Sequence, residues 1–282
     1  MLEKDFYIKV EQPGYLKRVL YSDTDSIFIK IPEKNIEDKT ADELWKKAEH
    51  TADKINDLII DYNKTTLLPR CNISPDNNHT FFKTELLMSA ILFLDVKKNY
   101  SYKLLVKEGV VLDPPKISYT GIQVVKSDTA KFTQKLLKNI IEDIMLNEKI
   151  KNEDKPIKIS QIVDEFHEKF KQDINDFEFQ DIGIPGKWAK NKQMINGMKI
   201  YNKIMNESVF SPASAARFIY CKFGINYGDG INGVCIPYDY DKNLIKEQFQ
   251  AHKIIIDENK QWNTLITTTC KRVFDLAKKL ES

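Results

Sequence analysis

Nowhere in the 282 residues do eighteen apolar residues follow one another, so no segment reads as a membrane span. The first ten, MLEKDFYIKV, carry charges where a signal peptide needs an apolar core. Cysteine is sparse: Cys71, Cys221, Cys235 and Cys270 stand far apart and form no CxxC pair. That argues against a zinc site or a disulfide framework and suits a reducing cytoplasm. The four histidines, His50, His79, His167 and His252, show no ligand spacing. Arginine is equally scarce, with four against 39 lysines. Phosphates would therefore meet flexible point charges rather than bidentate forks. With Ile and Asn abundant, this bias fits an A+T-rich genome. What remains, 42% hydrophobic and 11% aromatic, is the content of a globular chain of one large domain or two ordinary ones.

The net charge of +2 conceals an uneven distribution. Between Phe81 and Lys138 ten lysines face five acids, and from Gly186 to Lys203 five lysines face none. The compensating acids gather around Glu142 to Asp181. Basic clusters flanking an acidic stretch can form one positive face on a nearly neutral protein; solvated helix faces would give the same counts.

Tyr15 to Tyr21 and Ser26 to Ile31 are β-rich runs around the turn SDTD, a hairpin signal. From Thr40 to about Asn63, Leu44, Ala48, Ala52, Ile55, Leu58 and Ile59 recur at helical spacing. FFKTELLMSAILFLDVKKNYSYKLL reads as one or two buried strands with a turn at Lys97 to Asn99. PPKISYTGIQVV reads as a further strand opened by prolines. Together these make an α+β unit of antiparallel sheet with a packed helix. Beyond it, Ser127 or Asp128 is placed to cap a helix reaching about Asn147. SQIVDEFHEKFKQDINDF gives a second helix, Asn191 to Met205 a third, and Gln261 to Leu280 a last. Short strands fall at ARFIYCKFG and GVCIPY. The boundary therefore belongs near Ser127, with a mainly helical domain after it.

Within the first hairpin, VLYSDTDSIFI sets Asp23 and Asp25 one residue apart. A turn needs only one Asp or Asn, and two acids so close repel unless a positive charge sits between them. A hard divalent cation is the natural candidate, since Mg²⁺ takes one or two carboxylates and completes its shell with water and phosphate oxygens. As a bare pattern DxD is common. With Tyr21 before it, Ser26 after it and apolar strands on both sides, it becomes specific.

YSDTDS resembles YGDTDS, the palm signature of family-B DNA polymerases. DVKKNYSYKLL is similar to that family's KKRY segment, and KISYTGIQVVKSDTAKFTQKLLKNII to the stretch joining palm to thumb in T-even-type phage replicative polymerases. IPGKWAKNKQMINGMKIYNKI and GVCIPYD resemble the thumb, in the same order. The resemblance implies an antiparallel palm sheet with a packed helix over 1–126 and a mainly helical thumb gripping duplex DNA over 127–282.

It implies roles as well. Asp25 would bind the catalytic Mg²⁺ ions with Asp23 beside it, and Tyr21 and Ser26 would fix the hairpin. Two metals about 3.5–4 Å apart would serve nucleotidyl transfer to a primer 3′-hydroxyl. Lys98 would reach the minor-groove edge of the primer-terminal pair, flanked by Lys97 and Tyr100. Glu85 is a candidate accessory acid. Lys126, Ser127, Thr129 and Lys131 would meet duplex phosphates, as would Lys187, Lys190, Asn191 and Lys192 from the thumb. Each lysine also has a plain reading as a solvated surface charge. Asn99 replaces the usual Arg and removes a phosphate contact. Ser22 replaces the usual Gly, tolerable only where the backbone does not need positive φ.

The family's DxxSLYPS carboxylate motif, its KxxxNSxYG fingers helix and its exonuclease do not occur in these residues, and only 22 residues precede Asp23. The expectation is a split polymerase's C-terminal subunit, inactive alone. A partner chain would carry exonuclease, fingers and the remaining palm carboxylate, sharing the two Mg²⁺ ions. Primer-template DNA and dNTP would be its other partners, in the cytoplasm of an infected host cell. A sliding clamp is a further partner to test, although VFDLAKKLES lacks the aromatic tail some relatives carry. The alternatives are an inactive remnant and a non-catalytic duplex-binding accessory module. A DxD glycosyltransferase needs a nucleotide-binding sheet ahead of the pair, which 22 residues do not supply.

Overall fold

A computed structural model describes residues 19–23, 26–31, 38–187, 192–223 and 233–280. The chain divides into two compact units, one of residues 1–89 with 103–116, the other of residues 90–102 with 117–282. The α+β class holds in both.

In the first unit, β1 (Val19–Asp23) pairs antiparallel with β2 (Ser26–Ile29). The register is Tyr21 with Phe28, Ser22 with Ile27 and Asp23 with Ser26, with an irregularity at Leu20. Tyr15–Arg18 of the expected first strand lie outside the described residues. Helix α1 (Ala41–Tyr62) starts where a capping box stops the chain from fraying. Thr40 Oγ1 accepts the Glu43 N–H at 3.3 Å, and Glu43 answers by accepting the Thr40 N–H at 2.8 Å. That bond and the Thr40 hydroxyl hold the exposed Glu43 carboxyl below the usual range. The helix buries Leu44, Trp45 and Ala48 against Leu87 and Val106, with Ile31 beside them.

Three strands, β3 (Leu86–Phe93), β4 (Tyr100–Lys107) and β5 (Val110–Thr120), form a sheet in that order. Their connections, residues 94–99 and 108–109, are far too short for parallel crossovers, so the sheet is an antiparallel meander. The division into two units runs through all three strands. Pro114 and Pro115 do not open β5 but lie inside it. An edge strand tolerates this, because one side of its backbone has no ladder bond to lose.

The second unit holds most of the core. After a 3₁₀ turn at Gln123–Val125, α2 (Lys131–Asn139) runs on as wider π-type turns through Met145. Ser127 and Asp128 do not cap it; the N-cap is Ala130, with no side-chain cap. The turn is braced instead by side-chain amides. Gln134 donates to the Lys126 carbonyl at 2.8 Å, and Gln123 accepts from the Thr129 hydroxyl at 3.0 Å. Phe132, Leu136 and Ile140, at i, i+4 and i+8, are fully buried.

Helix α3 (Lys155–Asn175) begins earlier than the periodicity predicts, with Pro156 in its first turn. A short helix α4 (Phe179–Ile182), β6 (Ile184–Lys187) and α5 (Lys192–Met205) follow. The later part is less purely helical than its pattern suggests. Strand β7 (Ala215–Phe223) pairs antiparallel with β6, with β8 (Gly233–Ile236) and with β9 (Ile254–Ile256). β6, β9 and α6 (Lys242–Ala251) have no counterpart in the sequence reading. The last expected helix is broken into α7 (Glu258–Trp262), a π-type segment Asn263–Thr268 and α8 (Lys271–Lys278).

Gln261 ties this sheet to the helices. It is fully buried, donates to the Ile182 carbonyl at 2.6 Å and accepts from the Tyr220 N–H at 2.9 Å. Removing it strands two interior backbone groups, so Gln261→Ala should cost about 2–4 kcal/mol in urea unfolding. A loss within experimental error would mean other groups satisfy those atoms.

All four cysteines are free thiols. Cys221, Cys235 and Cys270 are buried, and burial pushes their thiols up, that of Cys270 to about 12. No described helix is long and apolar enough to cross a membrane.

Candidate metal hairpin and nucleic-acid interface

The candidate residues fall into two groups, in different units. In the hairpin, the Asp23–Ser26 pair closes the ladder, leaving Thr24 and Asp25 as its connection. Thr24, Asp25 and the Asp23 side chain lie outside the described residues. Below the tip, Tyr21 and Phe28 face each other with ring centroids 5.6 Å apart, a cross-strand aromatic pair that stiffens a short two-stranded ribbon. Ser22 sits in regular strand opposite Ile27 and is not among the positive-φ residues. A glycine is therefore unnecessary there, which answers the doubt raised by its replacement.

Two hard carboxylate oxygen donors at a hairpin tip fit part of a Mg²⁺ shell. Among the described residues, no three His, Cys, Asp or Glu side chains form a group that could hold a metal by itself. Glu85 is exposed and precedes β3; its carbonyl accepts the Glu108 N–H at 2.8 Å.

In the second unit, Lys97 and Lys98 project from the turn between β3 and β4, both exposed. Tyr100, half-buried, stacks on Tyr102 with centroids 6.1 Å apart and meets Phe93 at a tilt, 6.0 Å away. Lys126 and Ser127 lie on the turn before α2, and Lys131 is the first residue of that helix. Thr129 is buried, and its hydroxyl is donated to Gln123. It shapes the turn rather than facing solvent. Lys187 ends β6 opposite Ala215, and Lys192 opens α5. Lys190 and Asn191 lie outside the described residues. Asp128 and Thr129 line one cavity of about 160 Å³ with Ile184, so the turn before α2 and the start of β6 share a neighbourhood.

Electrostatics separates these lysines from the rest. Lys135 is paired with Asp181, Lys171 with Glu168 at 2.8 Å and Lys242 with Glu178 at 2.6 Å. The side chains of Lys126, Lys131, Lys187 and Lys192 have no ion-pair or hydrogen-bond partner among the described residues. Lys131 and Lys192 also occupy first turns that contain no acid. There the helix dipole disfavours a cation by about 0.3–1 kcal/mol, so the positions do not serve helix stability. Ammonium groups without a partner at the start of a helix have a chemistry that would fit phosphate oxygens.

The same sorting yields a prediction. Lys131→Ala, Lys187→Ala and Lys192→Ala should each weaken duplex binding without regard to sequence and lower the salt slope by about one. Lys242→Ala, whose charge is already spent on Glu178, should leave the slope unchanged. Equal slopes across all four variants, measured by anisotropy titration from low to moderate salt, would remove these lysines from the interface.

Two residues now stand out that motif reading left without a role. Gly121, at the end of β5, lies against the Lys97–Lys98 turn, and Asn99 turns its side chain back onto it, donating to the Lys97 carbonyl at 3.0 Å. The only sequence signal was a glycine closing a strand between two lysine clusters.

No curated protein matches the chain. The family model described as DNA polymerase family B matches residues 2–264, a span that includes both the hairpin and the lysine-bearing turns. The chain belongs to DNA polymerase family B.

Proposed function

We propose that these residues are the C-terminal palm and thumb parts of a DNA-directed DNA polymerase, with limits at 1–126 and 127–282. It would resemble the T-even-type phage enzymes and extend a primer 3′-hydroxyl on a DNA template. The observation that carries this reading is the hairpin register, which puts Asp23 at the last ladder pair and Asp25 in the two-residue connection beyond it. Two carboxylates one residue apart at the end of such a ladder are the donor pair that the family-B signature carries.

Asp25 and Asp23 would hold magnesium. When bound, the metal supplies activation of the primer hydroxyl and neutralisation of charge on the leaving pyrophosphate. The chain's other residues orient the DNA. Lys98 supports the primer-terminal pair from its minor-groove edge, where acceptors are common to all correct pairs. Lys97 and Tyr100 flank it. Lys126, Ser127, Lys131, Lys187, Lys190, Asn191 and Lys192 bind phosphates, a grip that carries no sequence information and so suits a replicative enzyme. Glu85 is assigned as an accessory acid of the same unit as the hairpin.

The 282 residues hold no DxxSLYPS or KxxxNSxYG segment. We propose that a partner chain in a viral replication complex supplies the second palm carboxylate, the fingers and the exonuclease, in the cytoplasm of the infected host. A sliding clamp belongs to the same proposal. An affinity pull-down from co-expressing or infected cells, followed by primer extension with Mg²⁺ and dNTPs, tests the assembly. Recovery of a second chain bearing a DxxSLYPS-like segment, with extension by the pair only, is the expected result. Robust extension by the purified chain alone would sink the requirement for a partner. Duplex binding with no extension under any combination would favour the accessory-module reading.

A further inference from the structure

The turn that carries Lys97 and Lys98 is fixed from several directions, all within one compact unit. Its backbone closes through Leu94 N–H to the Asn99 carbonyl at 2.9 Å and Asn99 N–H to the Val96 carbonyl at 3.1 Å. Lys98 stands at φ +60°, a left-handed conformation that a lysine adopts only when its surroundings impose it. Asn99 supplies one constraint, its side-chain amide donating to the Lys97 carbonyl at 3.0 Å. Asp95 adds a tie to the C-terminal helix region, with its carboxylate 2.5 Å from Lys279 Nζ.

Gly121 supplies the tightest constraint. A Cβ at that position would lie 2.2 Å from the Lys98 carbonyl oxygen and 3.3 Å from Asn99 Cγ. The obstructing atom is backbone, so it cannot swing away without moving the turn. Gly121 is itself at φ +66°, where a side chain is strained even in open space. Glycine is thus required twice over, once for its backbone angle and once for the absence of a side chain.

We propose that Gly121 and Asn99 are positioning residues for the Lys97–Lys98 pair, setting the two ammonium groups on the primer-template duplex without touching DNA themselves. The inference rests on the reading of that turn as a DNA contact. It also reassigns Asn99. Where the family's usual Arg would reach a phosphate, the asparagine amide is spent on holding the turn.

The test is a double-mutant cycle on duplex binding by the full chain, read by anisotropy of a labelled primer-template. Lys97→Ala/Lys98→Ala should weaken binding roughly tenfold and lower the salt slope by about two. Gly121→Ala should give a loss of similar size, and no further loss when added to the lysine-deficient background. Gly109→Ala is the control for backbone strain, because Gly109 is at φ +83° but a Cβ there would find only Trp45 Nε1 at 3.8 Å. It should lower thermal stability while leaving duplex affinity within twofold. If Gly121→Ala does not fold, judged by circular dichroism, Asn99→Ala takes its place, since it removes the amide without adding bulk. Wild-type affinity when both lysines are removed would overturn the DNA-contact reading. A lysine effect with wild-type binding in Gly121→Ala or its substitute, or with a further loss in the lysine-deficient background, would overturn the positioning role alone.

Discussion

Asp25→Asn is expected to lower primer extension by the proposed assembly by about a thousandfold, because several kcal/mol of charge stabilisation would depend on the carboxylate proposed to hold the metal. Duplex affinity and melting temperature should stay at the wild-type values, since the phosphate grip is assigned to lysines of the other compact unit. Asn preserves the volume of Asp and its capacity for a turn hydrogen bond, so a turn-capping role would survive the substitution. Asp23→Asn should cost less, in keeping with a supporting position at the last ladder pair. Single-turnover extension and anisotropy binding on the same preparations separate the two quantities. Undiminished extension by Asp25→Asn would mean that the two acids are a relic and that the chain serves DNA binding alone.

Phe132→Ala is expected to be the most damaging single substitution in the second unit. Phe132 is fully buried on α2, and its ring meets Phe166, Phe170 and Trp262 with centroids 5.2, 6.2 and 6.4 Å away in edge-to-face arrangements. Through these contacts it joins α2, α3 and α7, so the cavity left by truncation is walled by three elements that cannot all move inward. The cost should be about 3–5 kcal/mol, a third or more of an ordinary domain's stability, with a fall in melting temperature on the order of 10 °C. Val125→Ala, at a position 58% exposed in the 3₁₀ turn before α2, should change stability by less than about 0.5 kcal/mol. Urea unfolding followed by fluorescence would report both. A loss below about 1 kcal/mol for Phe132→Ala would mean that the aromatic cluster repacks.

Much of the architecture was legible in the sequence. The hairpin, the long helix capped by Thr40, the KKNY turn and the strand at Ala215–Phe223 all appear where local pattern places them. These are elements whose residues satisfy one another within a few positions. The capping box is written as T-x-x-E, and the strands as β-branched and aromatic runs. Membership of the polymerase family was legible for a related reason: the segments that carry the resemblance, YSDTDS above all, are each contiguous in the chain.

The misreadings share the opposite property. Ser127 and Asp128 look like helix caps, yet the turn before α2 is held by Gln123 and Gln134, whose side chains reach backbone and hydroxyl groups several residues away. The burial of Thr129 is equally invisible in its neighbourhood of Ser, Asp and Lys. Strands β6 and β9 are too short to show a period of their own and exist because β7 offers them partners. Gly121 looks like any strand-ending glycine until the Lys98 carbonyl is found against it.

The sequence by itself determined which residues carry charge, which segments could be helix or strand, and that two carboxylates share a hairpin. Only the tertiary structure decided which lysines are spent on internal ion pairs and which have no partner among the described residues, which threonine is buried, and why one glycine admits no substitute. Those outcomes depend on contacts between residues far apart in the chain, and such contacts leave no local pattern to read.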